Sequence, residues 1–282
     1  MLKQITTLLL LFFLSFLHAQ AQANYKWCAV KKGESFNAFL KRNNLNPKTQ
    51  SIEFRELNKG RFTKLGHLIA GKKYKIPSKK TASSLSLFGK KYAKVKIKDR
   101  QLHNAVLYLV AGHGGPDPGA IGKVSGHQIC EDEYAYDIVL RLGRELISHG
   151  AKVHFIIQDK NDGIRDDAFL KPDKDEVCYP NKTIPLRQLK RLKQRTLAIN
   201  NLAKKTPSSK YQRVIILHLD SRSKRKRTDV FFYHHSKSKR GKATALTLLE
   251  TMDKKYAKHQ PNRDYTGTVG SRRLYIIRKT NP

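Results

Sequence analysis

Three residues far apart in the chain carry side chains that bind transition metals: His113, Glu131 and His218. His113 stands in Val110-Ala-Gly-His-Gly-Gly-Pro-Asp-Pro-Gly-Ala-Ile-Gly122, a glycine-rich stretch directly after the apolar run Val106-Leu-Tyr-Leu-Val110. A core strand does not need that histidine, and a plain turn does not need so many glycines. His218 ends a second apolar run, Val214-Ile-Ile-Leu-His218. In an open parallel sheet ligands sit beyond the carboxyl ends of the strands, so histidines at two strand ends can face one pocket. Glu131 lies between them in sequence and opens a helical pattern. Two imidazoles and a carboxylate make a three-ligand catalytic zinc set with the fourth position left for water. Zinc lowers the pKa of that water towards neutrality, so that it attacks a carbonyl. Each residue alone has a plainer reading, a histidine closing a strand or a carboxylate favoured by a helix dipole. Together, with the glycine loop, the three point to a metal. Asp117 either orients the His113 imidazole from behind or is a turn residue between two prolines.

The elements that must position these residues follow from hydrophobic spacing. Ala105 to Val110 reads as a buried strand. Glu131 to His149 sets Ala135, Ile138, Val139, Leu142 and Leu146 at helical spacing, and Gly150 suits the C-cap. Lys152 to Gln158 alternates as one strand. Leu186 to Lys204 places Leu189, Leu192, Thr196, Ile199 and Ala203 on one helix face. Arg213 to Leu217 and Asp229 to Tyr233 read as strands. Gly241 to Lys258 is a helix with a stripe of Ala245, Leu249, Met252 and Tyr256, and Leu274 to Ile277 is a final strand. Strands alternating with helices predict an α/β fold, a three-layer αβα domain with a mostly parallel sheet. Between Lys160 and Pro185 lies a long polar insertion with Asp162, Asp166, Asp167, Asp173, Asp175 and Glu176. It either folds back on a basic groove as a lid or is a solvated surface loop.

Around this domain the chain divides into zones. Residues 1–23 have a basic start, the apolar core Leu8 to Leu17, and small-x-small sites at Ala19-Gln-Ala21 and Ala21-Gln-Ala23, the pattern of a secretory signal peptide. The apolar run falls short of the about 18 residues that a membrane span needs. Residues 24–77 form a small module, 78–100 a linker rich in Ser and Lys, and 101–282 the α/β domain, whose C-terminal end reads as missing. Lys and Arg number 57 against 22 Asp and Glu, a formal net charge of +35. So basic a chain expects a polyanionic partner, and export argues against nucleic acid and for an anionic cell-envelope polymer. The three cysteines, Cys28, Cys130 and Cys178, leave at least one without an intramolecular partner and do not resemble a zinc cluster. The basic run Arg222 to Arg227 either holds carboxylates at the pocket rim or is a solvated loop.

At this point the residues carry a resemblance. His113-Gly-Gly-Pro-Asp-Pro-Gly-Ala120, Glu131 opening a helix, the helix ending Ala198-Ile-Asn200, and Ile216-Leu-His218-Leu-Asp-Ser221 are together similar to the zinc-dependent N-acetylmuramoyl-L-alanine amidases of the type 3 family. The resemblance covers roughly Ala105 to Pro282. It implies His113, Glu131 and His218 as ligands of Zn2+, with Glu133 the rival to Glu131. It further implies hydrolysis of the amide between N-acetylmuramic acid and L-alanine in peptidoglycan, in the periplasm or cell envelope.

Val30-Lys-Lys-Gly-Glu-Ser-Phe36, then Asn58, then Leu68-Ile-Ala-Gly-Lys-Lys-Tyr-Lys-Ile-Pro77 resemble a LysM module. That implies a strand, two helices and a strand that bind glycans containing N-acetylglucosamine, in a copy longer than usual between its helices. One departure concerns the amidase pattern, which carries a later glutamate acting as proton shuttle. No glutamate follows Glu250 here. The catalytic acid or base is therefore unassigned. Loss of such a group costs about 10²–10⁴-fold. Asp220, two residues after His218, is a poor substitute and is placed with Asp117 as a supporting or substrate-contacting residue. The alternative function is a non-hydrolytic zinc-containing protein that binds peptidoglycan.

Overall fold

The structure is a computed structural model that describes residues 25–77, 83–207, 210–219, 229–262 and 264–281. Residues 1–23, the expected leader, lie outside the described residues, as do Asp220 and the run Arg222 to Arg227. The chain divides into two compact units.

The first unit comprises β1 (Tyr25–Ala29), α1 (Phe36–Arg42), α2 (Pro47–Leu57) and β2 (Lys73–Pro77). The strands pair antiparallel, Tyr25 opposite Pro77. Ser35 caps α1 by accepting from the Ala38 amide, and Asn46 caps α2, where Pro47 occupies a first-turn position that needs no donor. Phe39, Leu40, Phe54, Tyr74 and Ile76 fill the core. Asn58 is buried and ties helix to strand: its amide donates to the carbonyls of Phe54 and Lys75 and accepts from the Lys75 amide at 2.7 Å. The extra length expected between the helices lies instead after α2, in the loop from 58 to 72.

The second unit runs β3 (Ser83–Ser84), a 3₁₀ turn (Ser86–Phe88), α3 (Gly89–Tyr92), β4 (Lys94–Val95), β5 (Ala105–Ala111), β6 (Ile121–Val124), β7 (His127–Cys130) and α4 (Glu131–Ser148). It continues through β8 (Lys152–Phe155), β9 (Ile157–Gln158), β10 (Val177–Cys178), β11 (Lys182–Thr183), α5 (Gln188–Lys204), β12 (Tyr211–Leu217), β13 (Phe232–His234), α6 (Lys239–His259), β14 (Val269–Ser271) and α7 (Tyr275–Lys279). The central sheet is parallel in the order β12-β5-β8, with Leu217 opposite Ala111 and Leu109 opposite Phe155. Every residue of β5 is buried, as its continuous apolar sequence requires. Gly143 lets α4 press onto the sheet: a Cβ there would lie 2.2 Å from the Phe155 ring.

Several expectations need correction. Residues 83–98, read as part of a linker, belong to this unit, because Phe88 and Val95 are buried in its core and Leu85, Leu87 and Tyr92 pack against them. The strand expected over Lys152 to Gln158 is two: Ile156 donates to the Leu109 carbonyl, and β9 turns away to pair antiparallel with β10. The strand expected over Asp229 to Tyr233 is β13, displaced towards His234 and paired with β14 outside the central sheet. Leu274 to Ile277 is not a strand. It enters α7, whose Ile276 is buried and whose end is tied to α5 by hydrogen bonds of the Asn200 side chain with Lys279 and Asn281. Two adjacent isoleucines suit either state, and the bonds to Asn200 favour the helical turn. The three cysteines are free thiols.

Candidate metal centre

The glycine loop leaves β5 at Gly112, whose amide donates to the Leu217 carbonyl at 2.7 Å and so keeps the two strand ends together. His113 has φ 61°, and Gly114, Gly115 and Gly119 also have positive φ. Glycine takes this region freely, whereas histidine pays about 1–2 kcal/mol for it. A hydrogen bond from the Gly114 amide to the Asp117 carbonyl closes the turn. The loop then returns to α4, where the Glu131 amide donates to Ala120 and the Asp132 amide to Pro118.

This path brings His113, Glu131 and His218 together, with one ligand atom from each within 4.8 Å of the others. Oε2 of Glu131 lies 3.3 Å from Nε2 of His113, and its Oε1 lies 3.0 Å from Nδ1 of His218. Each oxygen also accepts a backbone amide, from Ala120 and from Leu219, both at 3.0 Å. The Glu131 side chain is 3 % exposed and that of His218 45 %, so the cluster is closed on the carboxylate side and open on the His218 side. Burial pushes the Glu131 carboxyl up, but the two amides and the neighbouring imidazoles outweigh it and hold it below the ordinary value.

Asp117 stands behind His113. Its Oδ2 lies 3.1 Å from Nδ1 of His113, off the hydrogen-bond line, and accepts from Nη2 of Arg191 at 2.6 Å. Burial raises this carboxyl too, but His113 and Arg191 leave it below the ordinary aspartate range. Glu133 takes no part: it is buried against Arg165 at 2.9 Å and accepts the Asp173 amide. That separates it from its rival Glu131, for α4 turns the two carboxylates to different neighbours.

The acidic insertion is tied down by ion pairs and a buried carboxylate rather than freely solvated. Asp166 bonds Lys91, Tyr92 and Arg141, and Asp162 pairs with Arg165. Glu176 is buried and accepts the Gly115 amide at 2.7 Å. Three residues that touch the loop were not expected from the sequence: Glu176, Arg191 and Arg195. The arginines fall in line with Ile199 and Leu202 on the buried face of α5, displacing Leu189, which is exposed. That heptad-like alignment is the signal that could have found them. Nothing in the spacing marks Glu176.

Burial, opposed by the Gly115 amide and reinforced by Asp132 and Glu133, pushes the Glu176 carboxyl up to about 8 from 4.5. A raised acid is stabilising below its unfolded value and loses that advantage as pH rises through the folded one. Between about pH 4.5 and 8 the wild type is therefore expected to lose stability that Glu176→Gln keeps, on the order of 3–5 kcal/mol. Urea unfolding of both proteins at pH 5, 6.5 and 8 checks this; parallel curves would contradict it.

A family model described as N-acetylmuramoyl-L-alanine amidase matches residues 106–282. The chain belongs to this amidase family. Amide hydrolysis in peptidoglycan is accordingly the reaction of the second unit, and the amidase loop, α4 and the end of β12 all fall inside the matched region. Among solved structures, the chain is similar to the N-acetylmuramoyl-L-alanine amidase from Clostridium difficile 630, with 19 % identity over 64 % of this chain and 75 % of that one and a TM-score of 0.42. It is similar to the CwlD amidase from Clostridioides difficile in complex with the GerS lipoprotein, with 23 % identity over 62 % and 77 % and a TM-score of 0.42. It is also similar to the N-acetylmuramoyl-L-alanine amidase AmiC2 of Nostoc punctiforme, with 18 % identity over 64 % and 76 % and a TM-score of 0.37. A comparison with curated proteins finds no match. No helix among the described residues is long and apolar enough to cross a membrane.

Proposed function

We propose that His113, Glu131 and His218 hold a zinc ion and that the chain uses it to cleave the amide between N-acetylmuramic acid and L-alanine. The observation that carries this reading is the Glu131 carboxylate set between two imidazoles, both oxygens committed, in a cluster whose donor atoms lie within 4.8 Å. The donor set suits zinc: two nitrogens and one oxygen, buried on the carboxylate side and open on the other. Zinc bound there supplies a Lewis acid that polarises the scissile carbonyl and lowers the pKa of water towards neutrality. The chain's own residues orient the site. The Ala120 and Leu219 amides fix both Glu131 oxygens, and Asp117 stands against the back of the His113 ring. The substrate approaches on the exposed His218 side.

The first unit serves as a LysM-like glycan module, and its strand, helix, helix, strand order supports that reading. With thirteen Lys and Arg against three Glu over residues 24–77, it is drawn to an anionic wall polymer. The leader-like pattern of residues 1–23 supports export to the periplasm or cell envelope, where peptidoglycan lies.

The test is release of stem peptides with new L-alanine amino termini from purified peptidoglycan. Release is expected to stop with a chelator, to return with added zinc, and to be absent in His218→Ala. Removal of residues 24–77 is expected to lower release from intact sacculi more than from soluble fragments. Release that is indifferent to the chelator would sink the zinc reading.

A further inference from the structure

Two cations are buried behind the metal-binding loop, where burial of charge needs a reason. Arg191 and Arg195 sit one turn apart on α5, 9 % and 5 % exposed. Residues four apart share a helix face, so both guanidiniums reach the same target. Taking an ion out of water costs several kcal/mol even after relaxation, and apolar side chains continuing the stripe of Ile199 and Leu202 would avoid that cost.

What the two arginines reach is the glycine loop, at His113 and at Asp117. Arg195 donates through Nη2 to the His113 carbonyl, and its Nε is buried without an acceptor. Arg191 donates through Nη2 to Asp117, and through Nη1 to the carbonyls of Leu186 and Pro185. The turn between these two anchors is the one closed by Gly114 and Asp117. His113 holds a left-handed backbone, which a non-glycine residue keeps only when its surroundings impose it. The bond to its carbonyl fixes the peptide plane that follows it, and the Arg191–Asp117 pair fixes the carboxylate behind its ring.

We propose that Arg191 and Arg195 are positioning residues that latch the loop onto α5 and aim the His113 imidazole at Glu131 and His218. The inference rests on the metal-centre reading above. Groups that orient metal ligands are worth about 10–100-fold in metal affinity, and this latch falls in that class. Arginine is suited to it. Its planar fork makes several bonds at fixed angles and it stays charged when buried, whereas a buried lysine readily gives up its proton.

The test uses the full chain stripped of metal. Zinc affinity is measured by competition with a chromophoric chelator, the site geometry by the visible spectrum of bound Co2+, and folding by far-UV circular dichroism. Arg195→Met and Arg191→Met are expected to bind zinc about 10–100-fold more weakly with an altered Co2+ spectrum. Arg191→Lys should recover part of the loss, because one bond to Asp117 survives. Lys193→Met, on the exposed side of the same helix, should match the wild type. If either methionine variant does not fold, Asp117→Asn and Arg195→Lys carry the test: weaker zinc binding supports the latch, and wild-type affinity overturns it. Wild-type affinity and Co2+ spectrum in folded Arg195→Met overturn it directly. Should the folded wild type bind no zinc, the metal-centre reading fails by itself. The latch is then judged by amide hydrogen exchange over residues 112–120, where faster exchange in Arg195→Met supports it and unchanged exchange overturns it.

Discussion

Glu131→Gln is expected to lower zinc affinity by more than about 100-fold, beyond the usual effect of a supporting residue, and to abolish peptidoglycan hydrolysis with it. The change is nearly isosteric, so the effect is one of charge and hydrogen-bond polarity. Both carboxylate oxygens accept a backbone amide, from Ala120 and from Leu219, and each also faces an imidazole nitrogen. A glutamine offers one oxygen and one NH2 group. Whichever way the amide turns, its NH2 faces a part-buried backbone N–H, and a donor left unsatisfied costs up to about 1–3 kcal/mol. Stability should therefore fall by roughly that amount in the metal-free protein. Chelator competition, stem-peptide release and thermal unfolding report the three effects. Glu133→Gln is the control, since its carboxylate serves Arg165 and Asp173: it should lose stability and keep zinc affinity. Zinc-dependent turnover within twofold of wild type in Glu131→Gln would remove this residue from the centre.

Gly119→Ala is expected to damage the same site without replacing a ligand. At Gly119, with φ 70°, an added Cβ would lie 2.7 Å from Oε2 of Glu131 and 2.8 Å from Cδ2 of His113. Left-handed backbone costs an alanine about 1–2 kcal/mol, and overpacking typically adds 1–3 kcal/mol. The two neighbours have no slack, because Glu131 is held by two amides and His113 by the turn that carries it. The methyl group can be relieved only by pushing the two side chains apart. A loss of about 2–5 kcal/mol in unfolding free energy and at least about tenfold in zinc affinity should follow. Gly122→Ala meets nothing within 4 Å and has no left-handed backbone, so it should stay within about 0.5 kcal/mol of the wild type. Equal behaviour of the two alanine variants would contradict the clash.

Much of this protein is legible in one dimension wherever the information is local or periodic. The fully buried β5 follows from an unbroken apolar run, and α4 from its 3.6-residue spacing. The approach of His113 to His218 was readable because each ends an apolar run, and parallel pairing brings such ends to one edge. Leu274 to Ile277 was misread because so short an apolar segment suits a strand and a helical turn equally. The bonds of Asn200 to the residues after it resolve the choice. Residues 83–98 read as a linker because lysines and serines make up half of the composition, while the fully buried Phe88 and Val95, with Leu85, Leu87 and Tyr92 packed beside them, anchor the segment in the core.

The amino-acid sequence by itself determined the α/β class, the glycine loop and the two histidines that meet at the strand ends, because these depend on residue type and spacing within single elements. Only the tertiary structure decided that Glu131 and not Glu133 joins the histidines, and that Arg191, Arg195 and Glu176 stand behind the loop. Those facts depend on which face of one helix turns towards another element. A buried cation and an exposed one look the same in the sequence until the fold takes water away from one of them.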